Sequence, residues 1–296
     1  MSKISNLSFV IPVYNEKDNI IDLHKDLLAL VSYYDQQLSD FKYEIIYIND
    51  GSTDGSLEIL QNLVGNEVKL VNFTNNRGKS YALQKGFSLA QYETVIMMDS
   101  DGQDIPNELK KLIAEKENDF DLVSGYKKKR KDSIIKVITS RMSNAFMSLL
   151  FKTDIKDFNS GLKVLDRSFA QTLILPEGFH RFIAFFALNA GLTYKEVAVE
   201  HRPRIHGKSK YSYFKIFPSS LDMLLLFFTI KRYDLLAIAL LFVNSVLAFL
   251  ALILSRLANF GVLNIYLGFM VLLNAVISAA LFKKIREYKN FAKSVI

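Results

Sequence analysis

Residues 95–104 read VIMMDSDGQD, an apolar run that breaks off into Asp99, Ser100 and Asp101, followed by Gly102 and Gln103. Two carboxylates two residues apart, just past a buried strand, offer hard oxygen ligands to Mg²⁺ or Mn²⁺. Such ions keep positions open for substrate phosphates. In open α/β sheets ligands gather at the carboxyl ends of strands, so the spacing points to metal-assisted chemistry on a phosphorylated substrate. A solvated acidic turn has the same composition, and the surrounding elements decide between the two.

Those elements alternate. Strands are expected over 7–13, 43–50, 68–73, 93–99 and 121–126, with helices over 19–33, 56–64, 80–90 and 107–116 between them. A helix over 134–151 and a late strand over 193–199 follow. Alternation of this kind predicts βαβ units and a mainly parallel sheet. Continuous apolar strands predict a sheet covered on both faces. Asp104, just before Pro106, reads as a helix N-cap.

The chain has 296 residues and no cysteine, which excludes disulfides, thiolate metal sites and a thiol nucleophile. Residues 235–254 and 260–282 carry no charge. At about 1.5 Å per residue each reaches about 30 Å, the thickness of a bilayer core. Lys208, Lys210, Lys215, Lys231 and Arg232 precede the first segment, and Lys283, Lys284, Arg286, Lys289 and Lys293 follow the second, with only Arg256 between. That distribution predicts a multi-pass membrane hairpin with the catalytic domain and both termini cytoplasmic. The first apolar run is too short for a signal peptide. Residues 213–229, with Lys215 and Asp222, read as a helix lying in the membrane interface, Pro218 near its start. The expected organisation is a catalytic domain over 1–211, a juxtamembrane helix over 212–232 and a membrane hairpin with a basic tail over 233–296. The net charge is +7, and residues 127–131 read KKKRK. With a membrane expected and no nucleic-acid module recognisable, the partners predicted for these cations are lipid headgroups or a phosphate substrate, not nucleic acid.

Four segments stand at strand ends: VIPVYNE (10–16), NDGSTDGS (49–56), NNRGKSYALQKG (75–86) and DSDGQD (99–104). In that order they resemble glycosyltransferase family 2 with its GT-A nucleotide-sugar fold, and within it the polyprenyl-phosphate glycosyltransferases. The resemblance implies that Pro12, Tyr14 and Glu16 line the nucleoside pocket and that Asp50 bonds the base or ribose. Asn49 departs from the family's Asp-Asp pair. Lys79, after Gly78, is implied for a phosphate, Asp99 and Ser100 for the donor, and Asp99, Asp101 and Gln103 for Mg²⁺ or Mn²⁺, with Asp101 catalytic. A divalent ion bridging the diphosphate neutralises the leaving group as a Lewis acid.

The acceptor side carries the more specific expectation. Sugar transferases that use hydroxyl acceptors need a carboxylate base, yet the later acceptor loop here reads PEGFHRFIAFF (176–186), with His180, Arg181 and Phe182 at the matching place and Glu177 outside it. A phosphate monoester has a second pKa of about 6 and is already mostly ionised at neutral pH. It needs cations to hold it in line. The candidates are Lys127, Arg130, Arg141, Arg181, Arg202, Arg204 and Lys210, the last two in a segment resembling R-x-x-G-x-S-K-Y with Ser209. Arg130 and Arg204 are also candidate catalytic residues. Asp157, in DFNSGLK (157–163), resembles the family's D-x-x-S-G-F-R and is either a base or, preferably, an orienting group. His180, His201 and His206 do not have zinc spacing. The activity implied is inverting transfer of one sugar from a UDP- or GDP-sugar to a polyprenyl phosphate at the membrane, and a homo-oligomer is compatible with the sequence. Two alternatives stay open. A processive polysaccharide synthase carries Q-x-x-R-W and more spans, and this chain has no Trp. A non-catalytic sugar-nucleotide-binding membrane protein is the other.

Overall fold

The computed structural model describes residues 6–127, 144–145, 147–149, 152–203 and the single positions 246, 249, 250, 253 and 283. The chain divides into two compact units at Tyr213 and Phe214. The first is built on a seven-stranded sheet.

The expected alternation is present. β1 (Asn6–Val13), β2 (Lys42–Asp50), β3 (Val68–Phe73) and β4 (Thr94–Met97) are parallel, with β1 between β2 and β4. Helices α1 (Lys17–Asp35), α2 (Ser56–Leu63), α3 (Lys79–Leu89) and α4 (Leu109–Lys116) connect or follow them. α1 buries Ile20, Leu23, Leu27, Leu30 and Val31, the helical stripe that packs on a sheet face. β1 is buried from Leu7 to its end, as a central strand covered on both faces must be. Register sets Val13 opposite Asn49 and Asn49 opposite Asn72, so the strands end at one edge. The segments 14–16, 50–56, 74–78 and 98–104 open there together.

The sequence did not announce β6 (Lys163–Asp166), which lies antiparallel between β4 and β5 (Leu122–Lys127), with β7 (Tyr194–Val199) parallel on the far side of β5. The order is β3-β2-β1-β4-β6-β5-β7. The reversal matters for the site. A strand running the other way brings to the shared edge the residues that precede it, here 157–162. Lys163 pairs with Met97 on one side and Ser124 on the other.

The acceptor segment, expected as a loop, is instead largely helical. A 3₁₀ turn over Phe179–Phe182 leads into α6 (Ile183–Asn189), and a short α5 (Arg167–Thr172) follows β6. Phe179 and Phe182 stack edge-on at 5.6 Å, and Phe185 and Phe186 at 6.0 Å. This aromatic packing decides the conformation that local spacing left open.

Among the described residues no helix is long and apolar enough to cross a membrane. The expected spans over 235–254 and 260–282 lie outside them except for Val246, Phe249, Leu250 and Ile253, which are helical and exposed. The interface helix lies outside altogether. Of the helix expected over 134–151, residues 144, 145 and 147–149 are described, and they are helical.

Gly86 shows how tightly α3 sits on the sheet. A Cβ there would lie 2.3 Å from Val10 Cγ1 and 2.8 Å from Ile48 Cδ1. Gly86→Ala is therefore expected to destabilise the domain by about 1–3 kcal/mol through overpacking, despite the better helix propensity of alanine. A thermal melt would show it as a midpoint lowered by about 5 °C.

Candidate active site

The loops at the carboxyl edge are laced to one another before any ligand arrives. The Asn15 N–H donates to Ser52 Oγ (2.9 Å), the Thr53 N–H to Asn15 Oδ1 (2.7 Å), and the Glu16 N–H to Ser56 Oγ (3.0 Å). Glu16 is buried and accepts the Asn19 side-chain amide at 2.7 Å. Pro12 is buried beside it and Tyr14 is exposed. Asn49 donates to Asn72 Oδ1 at 2.7 Å, a structural use that agrees with its departure from the family pair.

Asp50 is 3 % exposed, and its two oxygens accept the backbone N–H groups of Arg77 (2.7 Å) and Gly78 (2.9 Å). Burial raises its pKa against the pull of those hydrogen bonds. It fixes the turn that leads into α3, and so places Lys79. Gly51 permits this closeness: a Cβ on it would lie 2.5 Å from the backbone at Asn75 and Asn76. Ser100, expected on the donor, donates its hydroxyl to the Pro12 carbonyl (2.8 Å) and ties β1 to the D-x-D loop.

Charge concentrates next to this frame. Lys79 Nζ is 2.5 Å from Asp99 Oδ1. Lys127 Nζ is 3.4 Å from Asp104 Oδ1. Lys163, fully buried, donates to the Ser160 carbonyl. Burial lowers its pKa to about 8, while Asp157 and other carboxylates pull it back up. Burial also works against the charge on Asp99, but Lys79, then Lys127 and Lys163, hold its pKa below the usual value. Asp101 accepts the Gln103 N–H at 3.1 Å, closing the loop on itself. Asp157 is buried; it accepts the Asn159 N–H (3.2 Å), and its own N–H donates to Glu196 (3.1 Å).

One expectation changes here. Asp104 is not a helix cap: Ile105 precedes the 3₁₀ turn Pro106–Glu108, no side chain caps it, and Asp104 turns inward to Lys127. A carboxylate with a buried ammonium available forms the ion pair in preference to a solvated cap. Lys127, the first residue of the basic run, points into the carboxylates with only 16 % of its side chain exposed. Arg202, expected on a lipid phosphate, pairs with Asp26 of α1 at 3.0 Å. Arg130, Arg141, Arg204, Ser209, Lys210 and His206 lie outside the described residues.

Sequence reasoning missed a second linkage. Ser80 Oγ and His180 Nδ1 are 2.9 Å apart, and the His180 N–H also donates to Ser80 Oγ (3.3 Å). The imidazole tautomer sets which of the two, hydroxyl or Nδ1, donates. The Ser80 N–H donates to Glu177 Oε2 (3.3 Å), whose carboxylate fills the space a Cβ on Gly78 would take. The first turn of α3, with Lys79, is held by the acceptor segment a hundred residues away. Burial, then Lys79, Arg181 and Lys163, depress the His180 pKa well below 6.5. Only the unfolded chain takes up that proton near pH 6.5. Stability is therefore full above pH 6.5 and falls below it by about 1.4 kcal/mol per unit until His180 protonates in the fold. Melts from pH 7 to 5.5 should show this loss, flattened in His180→Gln.

Among the described residues no three His, Asp or Glu side chains already form a metal shell. The oxygen donors present nevertheless suit an ion that takes one or two carboxylates and completes its shell with water and substrate phosphates. Asp104 Oδ2 is buried with no hydrogen-bond partner among the described residues, and burial raises the Asp104 pKa against the pull of Lys127.

Carboxylates and lysines thus face each other at the edge where the parallel strands of an α/β sheet end. Residues 8–181 match the family model Glycosyl transferase family 2. The chain is 30 % identical over 225 residues to undecaprenyl-phosphate 4-deoxy-4-formamido-L-arabinose transferase of Proteus mirabilis, covering 75 % of this chain and 68 % of that one. It is likewise 30 % identical over 233 residues to dodecaprenyl-phosphate galacturonate synthase of Rhizobium johnstonii, covering 76 % and 67 %. In fold it is similar to glucosyl-3-phosphoglycerate synthase from Mycobacterium tuberculosis, crystallised with Mn²⁺, UDP and phosphoglyceric acid, with a TM-score of 0.58 and 16 % identity over 74 % of this chain and 76 % of that one. The chain belongs to glycosyltransferase family 2, and it is a glycosyltransferase.

Proposed function

We propose that this chain transfers one sugar from a UDP- or GDP-sugar to a polyprenyl phosphate, with inversion, at the cytoplasmic face of a membrane. The observation that carries the reading is the acceptor segment. The side chain standing where a hydroxyl-activating base is expected is His180, 7 % exposed and committed through Nδ1 to Ser80. A phosphate monoester needs no such base. Both curated relatives above are named for a polyprenyl-phosphate acceptor.

In this reading Pro12, Tyr14, Glu16 and Asp50 frame the nucleoside, and Lys79 neutralises the diphosphate. Asp99, Asp101 and Gln103 hold Mg²⁺ or Mn²⁺, which when bound supplies Lewis-acid stabilisation of the leaving group. An acceptor phosphate oxygen forms the new bond to the anomeric carbon as the bond to the diphosphate breaks, its electron pair leaving with the diphosphate. Asp157 orients the reacting groups. Arg130, Arg141, Arg181, Arg204, Ser209 and Lys210 hold the acceptor phosphate near headgroup height. Lys127 and Arg202, already paired with Asp104 and Asp26, are weaker candidates for that role.

Membranes containing the protein, given a panel of radiolabelled UDP- and GDP-sugars, test the proposal. One donor is expected to yield a product that extracts into organic solvent with an added polyprenyl phosphate. Transfer only to hydroxyl compounds overturns it. Neutralising Arg204 and Lys210 together is expected to raise the lipid KM by roughly tenfold or more, the loss of one or two charge-assisted contacts, with nucleotide binding intact. An equilibrium nucleotide-binding measurement beside the lipid titration checks both halves.

A further inference from the structure

Asp104 is 4 % exposed. Its Oδ1 faces Lys127, and its Oδ2 has no hydrogen-bond partner among the described residues. A Cβ on Gly161 would lie 2.5 Å from Asp104 Oδ2, 2.7 Å from Asp99 Cγ and 2.8 Å from Asp99 Oδ2, so the two carboxylates meet against the Gly161 backbone. Each carboxylate keeps a lysine on its other oxygen, Lys79 on Asp99 and Lys127 on Asp104. The two carboxylates therefore lie close together, and the inner oxygen of Asp104 is buried without a hydrogen-bond partner among the described residues. A buried carboxylate oxygen in that state is costly unless a cation or a proton meets it.

We propose that Asp104 is a further carboxylate of the divalent-cation site, acting with Asp99 through their inward oxygens, outside the D-x-D pair. The inference rests on the reading that this site holds Mg²⁺ or Mn²⁺. Lys127 holds Asp104 turned inward. The absence of a side chain at residue 161 keeps the approach between the two oxygens open. The competing explanation is a proton shared by Asp99 and Asp104. Asparagine at 104 separates the two, because it matches a protonated carboxyl in size and carries no charge.

The test is Mn²⁺ binding by the full-length chain in detergent, followed by the electron paramagnetic resonance of free Mn²⁺, with Mn²⁺ alone and with UDP or GDP added. Asp104→Asn is expected to weaken Mn²⁺ binding roughly 10–100-fold, the range for residues that serve a metal centre. Affinity within twofold of the unchanged protein, while Asp101→Asn abolishes binding, overturns this inference and leaves the metal reading standing. No Mn²⁺ binding by the unchanged protein under any of these conditions overturns both. Should Asp104→Asn not fold, Gly161→Ala serves instead. Its methyl group fills the point between the two oxygens and is expected to weaken Mn²⁺ binding at least tenfold, and unaltered affinity overturns the inference.

Discussion

Asp101→Asn is expected to lower sugar transfer by roughly 10³-fold, about 4 kcal/mol of barrier, with the protein still folded. The asparagine keeps an oxygen that can accept the Gln103 N–H, the contact Asp101 makes at 3.1 Å, so the loop keeps its shape. What is lost is a negative charge where Asp99 and Asp104 are already engaged by Lys79 and Lys127. In the proposed mechanism that charge holds the cation that stabilises the departing diphosphate, and the loss falls mainly on kcat. Radiolabelled transfer, measured beside a thermal melt, checks the expectation. Near-normal transfer would remove Asp101 from the metal site.

Lys79→Met is expected to raise the donor KM roughly 100-fold, about 2.7 kcal/mol, and to do the opposite for metal alone. Lys79 is 2.5 Å from Asp99, a residue it would share with the cation. A nucleoside-diphosphate sugar brings two negative charges and a divalent ion two positive ones. Loaded together they leave the net charge of the aspartate and lysine cluster unchanged; loaded singly, each shifts it by two. In the proposed mechanism Lys79 neutralises Asp99 until the donor arrives and then follows the diphosphate. Without it the donor loses a charge-assisted contact, while Asp99 becomes available to the ion. Weaker nucleotide binding together with tighter Mn²⁺ binding in the nucleotide-free protein is the expected pair of results. A fall in both affinities would mean that Lys79 only holds the loop in place.

The same residues show what local order in the chain can reveal. Asp99 and Asp101 stood out because a buried strand ends just before them, a property of a short segment, and Lys79 because Gly78 and Lys79 resemble the family's Gly-Lys pair. β6 left no such mark: four residues with a lysine at their head lack the length and alternation that distinguish a strand from a loop. Its pairing between β4 and β5 is a choice among distant partners.

The amino-acid sequence by itself determined the parallel core, the edge at which its strands end and the two aspartates there, because periodicity and strand-end chemistry act within a dozen residues. Only the tertiary structure decided that Lys127 turns inward, that Lys163 is buried, that Ser80 meets His180, and that Asp104 faces Asp99 across Gly161. Burial and charge pairing depend on which distant segments share a volume, and that is settled when the antiparallel strand closes the sheet.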